Sequence, residues 1–270
     1  MHILFIGYGK TSKRIAKQLF AQGHQITAIS TTNKLDTEVH HLQQDVHTLD
    51  LKDVHDVDIV YVLLSPQEST VEGYKKTYVD TVAPIVEALQ SHPVKRLFIV
   101  SSTRVYGVNE GQEVNDLTMP QPNDEQGELL QKMEKLYQSA YPQQTVVIRP
   151  SGIYGDSTVR MVTLASKTMN YSKCHWSNRI HVDDLANFLA FLAEKDVVEK
   201  SYIVSNSRPY PLHEVIQWFQ KQLHLPLLKY EPLTVSGKKI YATALQASGF
   251  QLVHQDFFQD YEYLLKNRYD

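Results

Sequence analysis

Cysteine is almost absent from this chain, and its single cysteine, Cys174, has no partner for an internal disulfide bond. The sequence also lacks a basic-then-apolar leader and any long uncharged apolar run. These absences lead us to expect a cytoplasmic protein with no membrane segment. The formal net charge of −3 is unlike the basic surface that displaces counterions from nucleic acid or anionic lipid. We therefore expect neither nucleic acid nor a membrane as a partner.

The pattern of apolar residues alternates between strands and helices along the 270 residues. Short apolar runs predict strands at residues 3–6, 25–29, 58–64, 96–100, 145–148 and 202–204. Helical spacing predicts helices at residues 11–22, 71–90, 183–194 and 212–223. A further helix is predicted after Asn123 or Asp124, either of which can cap it, with Leu129, Leu130, Met133, Leu136 and Tyr137 on one face.

Such alternation favours parallel strands joined by right-handed crossovers. We therefore predict an α/β protein with a doubly wound parallel sheet, the Rossmann fold, and a small C-terminal substrate lobe. The expected dinucleotide-binding domain spans residues 1–150, and the chain returns to it at about 179–204. Residues 151–178 and 205–270 form the expected lobe.

The first strand is followed by a glycine-containing turn, made of Gly7, Tyr8, Gly9, Lys10, Thr11 and Ser12. The first glycine permits a tight turn from strand to helix. The second allows backbone N–H groups to approach a pyrophosphate at the helix N-terminus. Ser12 stands at the third position, where a small residue still permits close packing. A P-loop needs a glycine at position 4, which is Leu4 here, so phosphate hydrolysis is excluded.

The segment after the second strand contains no acid before Asp36. In NAD-binding folds an acid usually lies here and binds the ribose hydroxyls. Hydroxyls and a lysine favour a 2′-phosphate instead, and those available are Ser30, Thr31, Thr32 and Lys34, with Lys10 as a second cation. We therefore expect NADP as the preferred cofactor. NAD is the alternative, and a polar surface loop without a dinucleotide is the third interpretation.

Several strings together resemble the extended short-chain dehydrogenase/reductases of the NAD-dependent epimerase/dehydratase family. They are Gly7-x-Gly9, Tyr78-Val79-Asp80, the run Ser-Ser-Thr-Arg-Val-Tyr-Gly at 101–107, Arg-Pro-Ser-Gly-Ile-Tyr-Gly at 149–155, and Arg-Ile-His-Val-Asp-Asp-Leu-Ala at 179–186. The resemblance runs nearly end to end. It implies a small-molecule substrate, typically a nucleotide-linked sugar, and a homodimer formed through the two long helices at 71–90 and 124–140.

The resemblance also implies ligand contacts. Cofactor contacts are implied at Asp45, Leu63, Leu64, Ser65, Ser101, Pro150, Ser151 and Ile153. Substrate contacts are expected at Arg104, Tyr106, Gln126, Tyr154, Asn178 and Arg179. Arg104 has two interpretations: it binds a phosphate or carboxylate in the cleft, or it pairs with Glu110 or Glu113.

The chain departs from this family in its proton-transfer pair. The family uses a tyrosine whose pKa is lowered by a lysine four residues later. With Gly127 and Glu134 aligned, these positions are Gln126 and Leu130, and none of the sixteen tyrosines has a lysine four residues on. Glutamine does not titrate, so it can orient a ligand but not carry a proton.

Ser102 is retained where the family's serine or threonine hydrogen-bonds the reacting oxygen, and it is the expected catalytic residue. Substitute acids or bases are Glu125, Glu128, Tyr154, His175 and His181, each of which also has a structural interpretation. The histidines at 40, 41, 47 and 55 match no common zinc spacing, so we expect no metal. Two functions stay open: an oxidoreductase or epimerase with altered acid–base chemistry, and a non-catalytic NADP(H)-binding sensor or scaffold.

Overall fold

The computed structural model describes residues 1–267, which form two compact units. Unit 1 comprises Met1–Gly107, Pro120–Arg149 and Leu185–Tyr202, and unit 2 comprises Val108–Met119, Pro150–Asp184 and the chain from Ile203 onward. The assignment of residues 108–119 to unit 2 has no counterpart in the sequence pattern. Several contacts join this segment to unit 2; in one of them the carboxylate of Asp116 accepts hydrogen bonds from the backbone N–H of Ile203 and of Ala244.

A seven-stranded parallel sheet confirms the predicted Rossmann fold. Its strands are β1 (His2–Ile6), β2 (Gln25–Ser30), β3 (His40–Gln43), β4 (Ile59–Val62), β5 (Arg96–Val100), β7 (Thr145–Pro150) and β11 (Ser201–Val204). The order is β11-β7-β5-β4-β1-β2-β3, so the direction of winding reverses beside β1. Such reversals create the crevice in which α/β proteins bind ligands. The pattern missed β3 because its residues, His-His-Leu-Gln, are mostly polar.

The helices predicted in the first half of the chain are present, except that the second is interrupted. Helix α1 spans Lys10–Ala21. The predicted helix at 71–90 consists instead of α2 (Val71–Tyr74), a π-helical segment (Lys75–Val79) and α3 (Val82–Leu89). Pro84 lacks an N–H and its ring clashes with the carbonyl four residues earlier, so α3 begins only just before it.

Helix α4 (Glu125–Ala140) is capped by Asp124, whose carboxylate accepts the N–H of Gly127 at 2.7 Å. Of the two caps considered, Asp124 is therefore the one used. The predicted apolar face is wrong at Leu136, which is 38% exposed. Glu134 is buried in its place because it pairs with Arg149.

The remaining helices and strands lie between residues 113 and 266. The strands are β6 (Glu113–Val114), β8 (Gly152–Tyr154), β9 (Asn170–Ser177), β10 (Arg179–His181), β12 (Tyr210–Pro211), β13 (Lys229–Gly237) and β14 (Lys239–Ile240). The helices are α5 (Val159–Lys167), α6 (Val182–Ala193), α7 (Leu212–Gln222), α8 (Thr243–Ala247) and α9 (Phe257–Lys266). Within residues 1–267, no helix combines the length and apolar character needed to cross a membrane.

Candidate dinucleotide site

A cavity of about 580 Å³ lies in unit 1 where β1, β2 and β4 end. Eleven of the expected cofactor residues line it: Gly7, Tyr8, Gly9, Ser30, Thr31, Thr32, Lys34, Asp45, Leu63, Leu64 and Ser65. Its volume is typical of small-molecule sites, and its position outside the carboxyl ends of parallel strands is where this fold binds nucleotides.

The sequence interpretation missed the far side of the cavity. The additional lining residues are Ile29, Val46, His47, Gln67, Glu68, Thr70, Glu72, Gly73, Lys76, Thr77 and Thr81. Most of them belong to the segment between β4 and α3, whose interrupted helix the periodicity did not reveal. One signal was present in the sequence: Thr70 is a good helix cap, and its hydroxyl accepts the N–H of Gly73 at 3.0 Å.

The two glycines of the turn serve different physical requirements. Gly7 has a φ of +92°, and a Cβ built on it would lie 2.2 Å from the carbonyl oxygen of Leu63. Gly7 is therefore required by the fold itself. Gly9 caps α1 with an extended backbone, and a Cβ on it would meet no atom within 4 Å. The space above Gly9, at a helix N-terminus, suits a phosphate group.

Ser12 explains how the motif manages without a third glycine. Its side chain is 1% exposed, and its hydroxyl donates a hydrogen bond of 2.6 Å to the carbonyl oxygen of Gly7. The serine thus packs α1 closely against the turn and also holds the turn's backbone.

The segment after β2 presents hydroxyls and one lysine to the cavity. Ser30 donates its hydroxyl proton to the carbonyl oxygen of Thr32, at 2.9 Å, and its oxygen lies 2.8 Å from Nε2 of His41. Burial, together with the positive charge of Lys34, lowers the pKa of His41 below its ordinary value. A neutral His41 leaves Lys34 as the cation of this segment that lines the cavity.

Asp45 lies across the cavity and is fixed by His47. The carboxylate accepts the backbone N–H of His47 at 2.9 Å and lies 2.8 Å from Nδ1 of the same residue. These hydrogen bonds hold the pKa of Asp45 below its usual value. Nε2 of His47 lies 3.1 Å from the carbonyl oxygen of Lys76. The expected adenine-side residue therefore stands in an ordered, ionised arrangement.

The other expected cofactor residues do not line this cavity. They are Lys10, Thr11, Ser12, Ser101, Pro150, Ser151 and Ile153. Ser101 is buried in unit 1, whereas Ser151 is buried and Ile153 half exposed in unit 2. Contacts from these residues to a cofactor stay predictions.

Arg104 and Gln126 bind each other in unit 1. Nη2 of Arg104 donates to Oε1 of Gln126 at 2.5 Å, and Nε donates to both carboxylate oxygens of Asp124, at 2.9 and 3.1 Å. Arg104 therefore pairs with Asp124, and not with Glu110 or Glu113 as one of our two interpretations held. Gln126 also donates from Nε2 to the carbonyl oxygen of Ser69 at 2.9 Å, so its side chain is held at both ends.

Two neighbours complete the region around Gln126. Leu130, which we predicted to stand at the position of the family's lysine, is 1% exposed and belongs to the core of unit 1. Ser102 is half-buried, and its oxygen accepts the backbone N–H of Arg104 at 3.2 Å. Its hydroxyl proton is not used in that bond, so Ser102 retains a donor for a ligand oxygen.

Four of the expected substrate residues have their polar atoms engaged inside their own unit. In unit 1, Tyr106 is 1% exposed and its hydroxyl accepts a hydrogen bond from Arg149. In unit 2, Tyr154 donates to Asp260 at 2.5 Å, and Asn178 bonds the backbone of Lys238 and Ile240. Arg179 is 6% exposed, bonds Ser177 and lies 4.6 Å from the ring centre of Phe257. These bonds give each residue a structural role, and contacts from the four residues to a substrate stay predictions.

Two histidines stack in unit 2 beside an aspartate. The rings of His181 and His254 lie 3.5 Å apart with an angle of 12° between their planes, and His254 Nδ1 is 2.7 Å from Asp260. A metal ion binds imidazole nitrogens in the ring plane. Because the two planes are parallel and separated, both rings do not converge on one ion. Burial and the neighbouring His254 lower the pKa of His181.

Comparison with known proteins agrees with this geometry. The NAD(P)H-binding family matches residues 7–196 of the chain. This chain belongs to that family. Its structure is similar to that of a putative NAD-dependent epimerase/dehydratase from Methylobacillus flagellatus, with 30% identity, coverage of 100% of this chain and 99% of the other, and a TM-score of 0.85. The expected membership among extended epimerase/dehydratase-type proteins is thereby confirmed.

More distant structures share the fold. A UDP-glucuronic acid 4-epimerase from Bacillus cereus in complex with NAD is 17% identical, with 100% of both chains covered and a TM-score of 0.78. The human epimerase family protein SDR39U1 with NADPH is also 17% identical, covering 99% of this chain and 100% of the other at a TM-score of 0.79. Structures of this fold therefore accept either nicotinamide dinucleotide.

Proposed function

We propose that this chain binds NADP(H) in the cavity of unit 1 and acts as an epimerase/dehydratase-like oxidoreductase on a sugar or nucleotide-linked sugar. The open space above Gly9 is the observation that carries the cofactor assignment, since it adjoins a helix N-terminus within a cavity of about 580 Å³. A bound nicotinamide would supply the hydride donor or acceptor. The chain's own residues bind and orient that cofactor and its substrate.

The preference for NADP(H) rests on the segment after β2. Thr31, Thr32 and Lys34 line the cavity, whereas Asp36 is not among its lining residues. A lysine and hydroxyls attract a 2′-phosphate, which a carboxylate repels. Asp45, Glu68 and Glu72 line other parts of the wall, so the preference is a local property of this segment.

Sugar chemistry is proposed because the B. cereus relative is named for a nucleotide sugar. Ser102 would hydrogen-bond the reacting oxygen through its remaining donor. A serine hydroxyl is too weakly acidic to replace a tyrosine with a lowered pKa, so we expect slow turnover that depends on a base outside the usual pair. A cytoplasmic location and a homodimer stay predictions.

A second candidate function is a cofactor-responsive sensor without catalysis. The bonding of Gln126 favours it, because Arg104 and the Ser69 carbonyl hold a side chain that does not titrate where the family places its base. Ser65, Gln67, Glu68 and Thr70, which lie on either side of Ser69 in the chain, line the cavity. Through its bond to Ser69, Gln126 is therefore linked to the segment that forms part of the cavity wall.

Calorimetric titration with NADPH, NADP, NADH and NAD tests the cofactor assignment, with Gly9→Ala as the informative variant. The methyl group meets nothing in the folded chain, so we expect an unchanged melting temperature and NADPH affinity lower by about tenfold or more, because the phosphates lose their close approach. Gly7→Ala should instead impair folding, since its Cβ would lie 2.2 Å from Leu63. Equal NADPH binding by Gly9→Ala and the parent would refute the site.

A substrate screen then separates the two candidate functions. The purified protein is loaded with NADP or NADPH and mixed with UDP-sugars, and the absorbance of the reduced nicotinamide is followed. Turnover that Ser102→Ala diminishes would support the oxidoreductase. Tight cofactor binding with no absorbance change for any substrate would favour the sensor.

A further inference from the structure

Tyr8, the tyrosine of the glycine-containing turn, is hydrogen-bonded to the carboxylate of Asp36. Tyr8 lies between Gly7 and Gly9, is 6% exposed, and donates from its hydroxyl to Oδ2 of Asp36 at 2.8 Å. The same carboxylate oxygen lies 3.5 Å from Nζ of Lys13, and the side chain of Asp36 is 9% exposed. Asp36 is thus held from two directions by residues of the turn and of α1.

Tyr8 has little freedom to move away from Asp36. Its ring packs edge-on against Phe5 at 6.4 Å and lies 6.2 Å from the ring of His41. Burial and the Asp36 carboxylate raise the pKa of Tyr8, so the hydroxyl keeps its proton and acts as a donor. Burial opposes ionisation of Asp36, but bonds from Tyr8, the Glu38 backbone and Lys13 hold its pKa below the ordinary value. The acid is therefore ionised and bound.

Asp36 is also the first carboxylate after β2, six residues beyond Ser30, within the segment that approaches the adenosine ribose in this fold. A carboxylate that reaches the ribose binds its two hydroxyls and repels a 2′-phosphate. Tyr8 lines the cavity while Asp36 does not. The tyrosine therefore stands between the cavity and the acid that would reverse its preference.

We propose that Tyr8 is a specificity-determining residue, which keeps the Asp36 carboxylate out of the cavity so that the site accepts a dinucleotide bearing a 2′-phosphate. This inference rests on the proposed NADP(H) function. Lys13 assists by neutralising the acid from the solvent side. Discrimination between NADPH and NADH thus depends on two features: the restraint of the Asp36 carboxylate by Tyr8, and the positive charge of Lys34 at the cavity.

The experiment is a cycle of variants titrated with NADPH and NADH. Tyr8→Phe removes the donor and preserves the ring packing. The ratio of NADH to NADPH dissociation constants should fall by about tenfold, a factor of the order that one hydrogen bond to a charged group contributes. Asp36→Asn alone should keep the parent's preference. In the double variant, Asp36→Asn should restore the preference for NADPH that Tyr8→Phe removes. Residue 36 is then neutral, so it no longer repels the 2′-phosphate when the hydrogen bond from Tyr8 is lost.

Tyr61→Phe is the matched control. Tyr61 is fully buried, stacks on Phe5 at 4.9 Å, and donates its hydroxyl to the carbonyl oxygen of Leu189 at 2.8 Å. Removal of the hydroxyl at position 61 should lower the melting temperature and leave the ratio of NADH to NADPH dissociation constants unchanged. A ratio unchanged in Tyr8→Phe, while the parent prefers NADPH, overturns this inference and leaves the proposed function standing. A parent that prefers NADH, or binds neither cofactor, overturns both.

Discussion

The guanidinium of Arg149 forms a two-point ion pair with Glu134 inside unit 1, with Nε 3.0 Å from Oε1 and Nη2 2.7 Å from Oε2. The side chains are 8% and 3% exposed. The third donor, Nη1, bonds the hydroxyl of Tyr106 at 2.9 Å. Three positions that the family resemblance marked as motif residues therefore form one buried network.

This network predicts unequal effects of single and double substitutions. Arg149→Met should lower the free energy of unfolding by about 3–5 kcal/mol, because Glu134 would be left as a buried unpaired charge. The double variant with Glu134→Leu should recover part of that loss, because both charges are then removed. Chemical denaturation measures both values. A double variant less stable than Arg149→Met would contradict this account.

Leu130 and Leu136 provide a test of the packing of α4. Leu130→Lys introduces a lysine where the family resemblance predicts one, but it places an ammonium group where the side chain is 1% exposed. We expect a loss of about 3–5 kcal/mol in unfolding free energy. Leu136→Lys, at a position 38% exposed, should change it by less than about 0.5 kcal/mol. Thermal denaturation compares them. Equal destabilisation would mean that Leu130 is not in the core.

Because a lysine at position 130 would be buried, adding tyrosine at 126 and lysine at 130 should not restore the catalysis that is usual in the family.

Ser12 predicts a coupling between the turn and the cofactor site. Ser12→Ala removes the bond to Gly7 and leaves its carbonyl oxygen without that donor, so we expect a loss of about 1 kcal/mol in stability. NADPH affinity should fall as well, because the turn that approaches the phosphates is less firmly held. Ser166→Ala is the control: its exposed hydroxyl bonds the Val162 carbonyl within α5, in unit 2. A weakened affinity in Ser166→Ala would show that the effect is not local.

Most of unit 1 was predictable because its signals are local in the sequence. The apolar runs of β1, β4 and β5 and the turn at Gly7 each depend on neighbouring residues, and they also place the nucleotide site at the strand ends. What was missed depends on distant contacts. Glu134 is buried because Arg149 lies 15 positions later, and no periodicity of α4 indicates that.

The hydrogen bonds of the expected substrate residues could not be predicted from the motifs. Asn178 and Tyr154 occupy family strings, yet their polar atoms bond Lys238, Ile240 and Asp260, which lie far along the chain. A motif identifies the residue at a position. The hydrogen-bond partners of that residue, which can lie far along the chain, decide how its polar atoms are used. The amide of Gln126 cannot titrate, which its residue type alone establishes, but its bonds to Arg104 and Ser69 follow only from the structure.

The stacked histidines of unit 2 predict a loss of stability in mild acid. Burial and His254 lower the pKa of His181, while the nearby acids Asp183, Asp260 and Asp184 act in the opposite direction without reversing the shift. A histidine with a lowered pKa in the folded state favours folding while it is neutral, so its contribution is present above its ordinary pKa of about 6.5 and declines as the pH falls below it. Each unit of pKa difference corresponds to about 1.4 kcal/mol.

Melting curves between about pH 5 and pH 8 measure this effect against two variants. His181→Gln retains an acceptor for the Asp183 N–H, which the ring accepts at 3.2 Å, and cannot become charged. We expect it to flatten the decline in melting temperature below about pH 6.5. His55→Gln, at an exposed histidine of unit 1, should leave the decline as in the parent. If His181→Gln keeps the full acid sensitivity, the stacked pair is not its source, and protonation elsewhere destabilises the chain.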